Sequence, residues 1–280
     1  MTEYPPYSVL MSIYSKERPE WLRVALDSII NQTVAPDEIV IVRDGPLTIE
    51  LDEILAEYDI ANPGLFKICS YPVNRGLGFA LSVGVPECSN ELIARMDTDD
   101  YSFPRRMELQ LAEFVNDPHL DMIGTQVYEF IESPEEPISI SELPLEGRDL
   151  LRYSKRRNPF RHTPIVYKKS KVLSAGNYSS HFLYFEDWDL FNRMLACGCK
   201  GKNLPEPLVA VRVSSDFFSR RGGIAYLPHV WKFKIEQLKR GYFTLSDFLL
   251  SFIPHAVVCL MPNKLRSMVY TKALRKKTND

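Results

Sequence analysis

Three carboxylates stand within four residues at Asp97-Thr98-Asp99-Asp100. Like charges this close raise one another's pKa unless a cation neutralises them. A hard divalent ion, Mn2+ or Mg2+, takes oxygen ligands and often completes its shell with phosphate oxygens. The tetrapeptide therefore reads as a metal–diphosphate site or, in isolation, as a solvated acidic turn. What precedes it favours the first reading. Leu92-Ile93-Ala94-Arg95-Met96 is a continuous run with the length of a buried strand. Asp44 closes a second such run, Ile39-Val40-Ile41-Val42, with turn chemistry in Arg43-Asp44-Gly45-Pro46.

The elements that must carry these ends alternate along the first hundred residues. Ser8 to Ile13 reads as a buried strand, and a helix follows Pro19 with Leu22, Ala25, Leu26 and Ile29 at helical spacing. Leu51, Ile54, Leu55 and Tyr58 mark a second helix, Phe66 to Tyr71 a third strand, and Gly76 to Val85 a third helix. Such alternation means βαβ units, an α/β fold and right-handed crossovers onto a parallel sheet. Ligands then bind beyond the carboxyl ends of the strands. Those ends offer Tyr14, Asp44, Asn74-Arg75 and the carboxylate turn as one site. The second half is less regular. Residues 133–147, with three prolines and four glutamates, read as a surface loop, Ile165 to Tyr167 as a strand, and Asp187 to Cys197 as a helix.

Taken in order, four segments resemble the successive donor-binding motifs of the family-2 nucleotide-sugar glycosyltransferases with the GT-A fold. They are Ser8-Val9-Leu10-Met11-Ser12-Ile13-Tyr14, Val40-Ile41-Val42-Arg43-Asp44-Gly45, Asn74-Arg75-Gly76-Leu77-Gly78 and Asp97-Thr98-Asp99-Asp100. Glu186-Asp187-Trp188-Asp189-Leu190 resembles that family's acidic acceptor-side motif. The match covers about residues 7–215 and is nearest in character to bacterial enzymes that build exopolysaccharide and O-antigen repeat units. It implies a Rossmann-like, mostly parallel sheet flanked by helices, with a catalytic domain over 1–215. Nucleotide-sugar binding would occupy about 1–100 and the acceptor side about 101–215. It also implies roles. Ser12 and Tyr14 would line the nucleoside pocket, and Asp44 would accept the uracil imino proton. Asp97 would touch the ribose or a metal-bound water, Asp99 would ligate the metal on the diphosphate, and Thr98 would sit between them. Arg75 would offset leaving-group charge. The chain departs from the pattern at Arg43, where a second acidic residue is frequent, and at Ser15, where Asn is frequent.

Sugar transfer with inversion needs in-line attack by an acceptor hydroxyl, with one carboxylate taking its proton while the diphosphate leaves under metal stabilisation. The resemblance gives that task to Asp187. From the residues alone, Asp187 or Glu186 at the start of a helix is also a plain cap, stabilised by the helix N-terminus. Glu186 and Trp188 fall on the acceptor side, with Trp188 and Tyr184 expected as the apolar wall for a sugar ring. His162, in Asn158-Pro159-Phe160-Arg161-His162-Thr163-Pro164, is either a structural hydrogen-bonder or a substrate contact. Lys155-Arg156-Arg157 with Arg161 is either a solvated face or a contact for an acceptor phosphate.

The 280 residues carry 34 Lys+Arg against 36 Asp+Glu and are 45% hydrophobic, which excludes a disordered chain, a disulfide miniprotein and a polytopic membrane protein. The net charge of −2 argues against a nucleic-acid binder, yet it conceals a split. Residues 1–211 carry 21 basic and 32 acidic side chains, a net of −11, and residues 212–280 carry 13 and 4, a net of +9. Ser219-Arg220-Arg221-Gly222-Gly223 is a compact basic turn suited to a phosphate, so Arg220 joins the expected contacts. Residues 243–261 are rich in large apolar side chains but are interrupted by Asp247, Pro254 and His255, too short and too polar for a transmembrane helix. Lys264, Arg266, Lys272, Arg275, Lys276 and Lys277 then interleave with apolar residues, as in a segment lying in the membrane interface against anionic lipid. Residues 216–280 are thus expected as a helical, membrane-associating extension, the alternative being a helix pair packed on the catalytic domain. The N-terminus lacks a basic start followed by an apolar run, so no secretory signal is expected, and five scattered cysteines read as reduced thiols. The expected location is cytoplasmic, peripheral on the inner face of the cell membrane.

The combined expectation is a metal-dependent, inverting transfer of a hexose, galactose or glucose, from a UDP-sugar to a sugar linked through diphosphate to a polyprenol. A glycoside hydrolase also uses paired carboxylates but has no need of the strand-end clusters. A sugar nucleotidyltransferase should show a glycine-rich phosphate loop after its first strand, and Ser12-Ile13-Tyr14-Ser15 has no glycine.

Overall fold

The computed structural model describes residues 4–213 and 222–262. Its first half runs β1 (Tyr7–Ile13), α1 (Pro19–Ile30), β2 (Glu38–Asp44), α2 (Ile49–Ala61), β3 (Phe66–Tyr71), α3 (Leu77–Glu87) and β4 (Leu92–Arg95). β1, β2 and β4 are buried on both faces, as strands covered on either side by helices must be. Met11, Ile39 and Ile41 pack with α1 and α2, whereas Leu10, Val40 and Val42 pack with α3. Pro19 opens α1, where its missing N–H costs nothing, and the Thr48 hydroxyl caps α2.

Past β4 come β5 (Tyr101–Ser102), α4 (Arg106–Asn116), β6 (Met122–Phe130), β7 (Ser139–Ile140), α5 (Gly147–Ser154), β8 (Val166–Lys168), α6 (Lys169–Ser174), α7 (Glu186–Ala196) and β9 (Gly201–Arg212). One sheet takes the order β3-β2-β1-β4-β8-β6-β9-β5, with β7 paired to β6. The first four strands are parallel, as the alternation predicts. Beyond them the sheet is mixed, because β8 runs antiparallel to both β4 and β6 and β5 antiparallel to β9. Strand order reverses at β1, so the ends of β1 and β4 open the crevice where such sheets bind ligands. The expected loop at 133–147 is irregular apart from β7.

The C-terminal part adds α8 (Leu227–Lys239) and α9 (Leu245–Leu260). They pack on α7 through a cluster of Phe182, Phe185, Trp188, Tyr226, Val230, Phe233 and Cys259. A capping box between Thr244 and Asp247 starts α9, and Leu249, Ile253 and Val257, spaced four apart, leave one apolar face in solvent. Among the described residues, no helix is long and apolar enough to cross a membrane. Arg220 and the basic run Lys264 to Lys277 lie outside the described residues.

Candidate active site

The carboxylate turn rests on two buried arginines. Arg95, the last residue of β4, is wholly buried and ion-pairs with Asp97, while its Nε and Nη2 find no hydrogen-bond partner among the described residues. Arg106 opens α4 beneath it, donating from Nη2 to Arg95 O at 2.9 Å and to Thr163 O at 3.2 Å. Burial lowers Arg106 only to about 10, so it stays charged at neutral pH. Burial alone would push the Asp97 carboxyl up, but the Arg95 guanidinium and the Thr163 hydroxyl outweigh it and hold Asp97 below the usual range.

Thr163 Oγ1 lies 2.6 Å from Asp97 Oδ2 and 2.7 Å from Asp100 Oδ2. A hydroxyl has one proton to donate, so the two carboxyls share it. Burial, with the charges of Asp99 and Asp97, pushes the Asp100 carboxyl well up. The Thr163 hydroxyl thus bridges the Asp97 and Asp100 carboxyls and ties the two ends of the turn together. The other Asp100 oxygen accepts from Arg212 N at 2.8 Å.

The Asp99 carboxyl is pushed up to about 6, by burial first and then by Asp97. Glu17, in the loop after β1, is pushed up to about 7 by burial and by Asp99 and Asp97. Arg212, at the end of β9, donates from Nε to Asp99 O at 3.1 Å and stacks on Trp21 at 4.5 Å, a ring Arg18 also covers at 4.5 Å. The like charges of Asp97, Asp99 and Glu17 raise one another at this turn, a strain that a divalent cation relieves. Among the described residues, no three His, Cys, Asp or Glu side chains are placed to hold a metal by themselves. The oxygen donors at Asp99 and Asp97 would leave most of a shell to phosphate and water, the habit of Mn2+ and Mg2+ at nucleotide sites, so the donor set fits.

The end expected to take the nucleotide is built on β2. Asp44 Oδ1 accepts from Arg75 N at 2.6 Å and Tyr71 OH at 2.8 Å, and Oδ2 accepts from Gly76 N at 2.9 Å. The loop before α3 is thus drawn onto Asp44. Gly45 permits this seat, since at φ +84° a Cβ would lie 2.7 Å from Asn74 N. The Arg75 guanidinium stacks on Phe79 at 3.6 Å. Ser12, beside Val42 in the β1–β2 ladder, and Tyr14 are half-buried at the end of β1. Thr98 is buried within the turn.

The end expected to face the acceptor is built on α7. Asp187, in its first turn, accepts from Trp188 N at 2.7 Å and from Asn158 Nδ2 at 2.6 Å. Glu186 is half-buried against α3, where a Cβ on Gly78 would meet Glu186 Cβ at 3.2 Å and Ser179 O at 2.6 Å. His162 lies between the two ends. Its Nε2 is 3.0 Å from Tyr178 OH, and burial and Arg95 keep it well below its usual pKa, hence neutral.

One expectation is corrected. Trp188 is only 5% exposed and does not form a sugar wall. Its Nε1 donates to Ser154 O at 2.8 Å, and its ring packs 4.7 Å from Phe233, toward α8. Tyr184 is exposed, in left-handed backbone at φ 75°, with its ring on Tyr226 and His229.

One segment joins both halves: Asn158 holds Asp187, His162 meets Tyr178, and Thr163 holds Asp97 and Asp100. Five peptide steps separate its ends, at most about 18 Å when extended. Sequence reasoning missed Asn158, Thr163, Glu17, Arg106 and Arg212. It also missed Asp189, a buried carboxylate that accepts from Arg193, Gln237 and Arg240 and so ties α7 to α8. Only Arg95 carried a signal, as a lone charge within an apolar run.

The family model described as glycosyl transferase family 2 matches residues 8–180. The UDP-Gal:alpha-D-GlcNAc-diphosphoundecaprenol beta-1,3-galactosyltransferase of Escherichia coli is 35% identical over 276 residues, covering 97% of this chain and 98% of that protein. The amylovoran biosynthesis glycosyltransferase AmsE of Erwinia amylovora is 36% identical over 269 residues, covering 95% and 98%. Among solved structures, the mannosyltransferase PcManGT from Pyrobaculum calidifontis in complex with GDP-Man and Mn2+ aligns with a TM-score of 0.65 at 14% identity, over 95% of this chain and 72% of that one. S. aureus TarS 1-349 in complex with UDP aligns with a TM-score of 0.59 at 18% identity, over 96% and 87%. At those identities the structural likeness speaks for the fold alone, the GT-A arrangement of a curled sheet flanked by helices. With 173 consecutive residues under the family model and full-length relatives above 30% identity, the chain belongs to glycosyl transferase family 2.

Proposed function

We propose that this glycosyltransferase moves a hexose, galactose or glucose, from a UDP-sugar to a polyprenyl-diphosphate-linked sugar, with inversion and with a divalent metal, in the building of a bacterial surface polysaccharide. The observation that carries this reading is the segment from Asn158 to Thr163, which couples the Asp187 carboxylate to the Asp97–Asp100 turn. Asp44 Oδ2 keeps a lone pair for the uracil imino N–H, and Ser12 and Tyr14 flank the nucleoside. Asp99, with Asp97 behind it, would hold Mn2+ or Mg2+, which supplies charge stabilisation to the departing diphosphate. Thr98 keeps the turn seated, and Arg75 offsets charge on the leaving group. Asp187 takes the proton of the attacking acceptor hydroxyl, with Glu186 and His162 as neighbouring polar contacts. The specificity in the name of the E. coli relative supports galactose and a diphosphate-linked acceptor.

The acceptor's lipid calls for membrane contact. The exposed apolar face of α9, with the basic residues beyond it and Arg220 before α8, supports peripheral attachment at the cytoplasmic face against anionic lipid. Calorimetry with UDP, with and without Mn2+, tests the donor half. We expect metal-enhanced UDP binding in the wild-type chain and in Asp187→Asn, with transfer lost only in the variant. Metal-independent UDP binding, or turnover by Asp187→Asn, would overturn the reading.

A further inference from the structure

Where the Lys155-Arg156-Arg157 run meets α8 and α9, more positive groups converge than Asp247 answers. Lys155 is neutralised by Asp247 at 3.0 Å. Arg156 and Arg157 are exposed and have no ion-pair partner among the described residues. Lys234 of α8 is wholly buried. Its Nζ bonds Ser251 Oγ, reaches Arg156 O at 3.5 Å, and lies 4.1 Å from the Trp188 ring. Burial, with Arg157 nearby, lowers Lys234 to about 7. His255 of α9 is pushed to about 3 by burial and then by Lys234 and Arg157.

A buried ammonium without a carboxylate is costly, and an apolar side chain of similar length would pack the seam at lower cost. Its retention needs a reason outside the folded chain, and the chemistry of the site points to an anion. The position says which. Arg157 immediately precedes Asn158, whose side chain holds Asp187. On the other side, α9 presents Leu249, Ile253 and Val257 to solvent.

We propose that Arg157, Lys234 and His255 form the subsite for the diphosphate of the lipid-linked acceptor. Arg157 contacts the phosphate oxygens, Lys234 lies beneath and becomes fully charged as the anion binds, and His255 closes the seam on the α9 side. An acceptor held there presents its sugar to Asp187 and runs its prenyl chain along α9. The assignment rests on the lipid-linked acceptor proposed above.

The same phosphate chemistry exists in phospholipid headgroups, so the test has two arms on the full-length chain. Farnesyl diphosphate binding is measured by calorimetry at saturating UDP and Mn2+, and co-sedimentation with phosphatidylglycerol vesicles is measured in parallel. Arg157→Gln and Lys234→Met should each weaken farnesyl diphosphate binding at least tenfold, leave UDP affinity within twofold, and leave vesicle binding unchanged. Lys234→Met should keep or raise the melting temperature, because it removes an uncompensated buried charge. Unaltered farnesyl diphosphate affinity in Arg157→Gln, whose exposed side chain is not needed for folding, would overturn the proposal. So would a loss confined to vesicle binding, which would assign the cluster to headgroups. Failure of the wild-type chain to bind UDP would instead sink the donor reading, and the same farnesyl diphosphate comparison of wild type with Arg157→Gln, run without nucleotide and metal, would then decide this one.

Discussion

Asn158 donates from Nδ2 to Asp187 Oδ2 at 2.6 Å, while the other carboxylate oxygen accepts from the helix's own Trp188 N–H at 2.7 Å. The carboxylate is thus fixed from two sides, by the first turn of α7 and by the segment that also reaches Asp97. A general base held this way is oriented before the acceptor arrives. Asp187→Asn should lower kcat by about 10²- to 10⁴-fold, the usual weight of general base catalysis. Asn158→Ala should lower kcat by about tenfold, as expected for losing orientation rather than the base. Steady-state kinetics with UDP affinity measured alongside checks both, and a parallel fall in UDP affinity would place Asn158 in donor binding.

Asp99 at about 6 and Glu17 at about 7 give the metal-free protein a defined pH response. Both carboxyls bind protons more tightly folded than unfolded, so their contribution to stability is favourable in acid. It is lost as pH rises from about 4 through 6 to 7. A divalent cation needs the ionised form and competes with those protons. Added Mn2+ should therefore raise the melting temperature more at pH 8 than at pH 5, and Asp99→Asn should remove most of that difference. Thermal melts across pH with EDTA or Mn2+ decide it, and an equal shift at both values would contradict the assignment.

β1, β2 and β4 were legible because two-sided burial demands apolar runs, and Val9 to Met11, Ile39 to Val42 and Leu92 to Ala94 supply them. β6 and β9 were not. β9 carries Pro205 and Pro207, which cannot donate to a ladder, and its register with β6 shifts beside Gln126. The carboxylate turn was legible because its chemistry is local in sequence. Asn158 and Thr163 act only through distant contacts and look like ordinary loop residues. Trp188 misled for a helical reason: adjacent helix residues face about 100° apart, so Asp187 meets Asn158 while Trp188 turns to Phe233.

Arg95 should prove necessary for stability as well as for the site. Its partner Asp97 keeps 34% of its side chain in solvent, so the full cost of orphaning a buried ion is discounted. Arg95→Met should destabilise by about 2–4 kcal/mol and weaken metal-dependent UDP binding. Denaturant unfolding measures the first and calorimetry the second. Unchanged stability would mean that Asp97 does not depend on the pair.

Gly78 sets the approach of α3 to α7. An added Cβ would meet Ser179 O at 2.6 Å and Glu186 Cβ at 3.2 Å, and neither contact is with the flexible end of a side chain. Gly78→Ala should cost about 1–3 kcal/mol, as overpacking does, and should lower kcat by moving α3 away from α7. A variant with wild-type stability and turnover would show that the two helices have slack.

The apolar face of α9 is the remaining point of decision. Leu249, Ile253 and Val257 are each about half exposed, and four-residue spacing aligns them on one side of the helix. The opposite side packs through Phe248, Ser251 and Cys259, so charge placed on the exposed side disturbs no core contact. Leu249→Glu with Ile253→Glu should change stability by less than about 1 kcal/mol, as two surface substitutions do. The pair should also abolish co-sedimentation with anionic vesicles, since it replaces buried apolar area with charge facing lipid phosphates. UDP binding should stay intact. Full sedimentation by the double variant would remove α9 from the membrane contact and leave attachment to the basic residues beyond it.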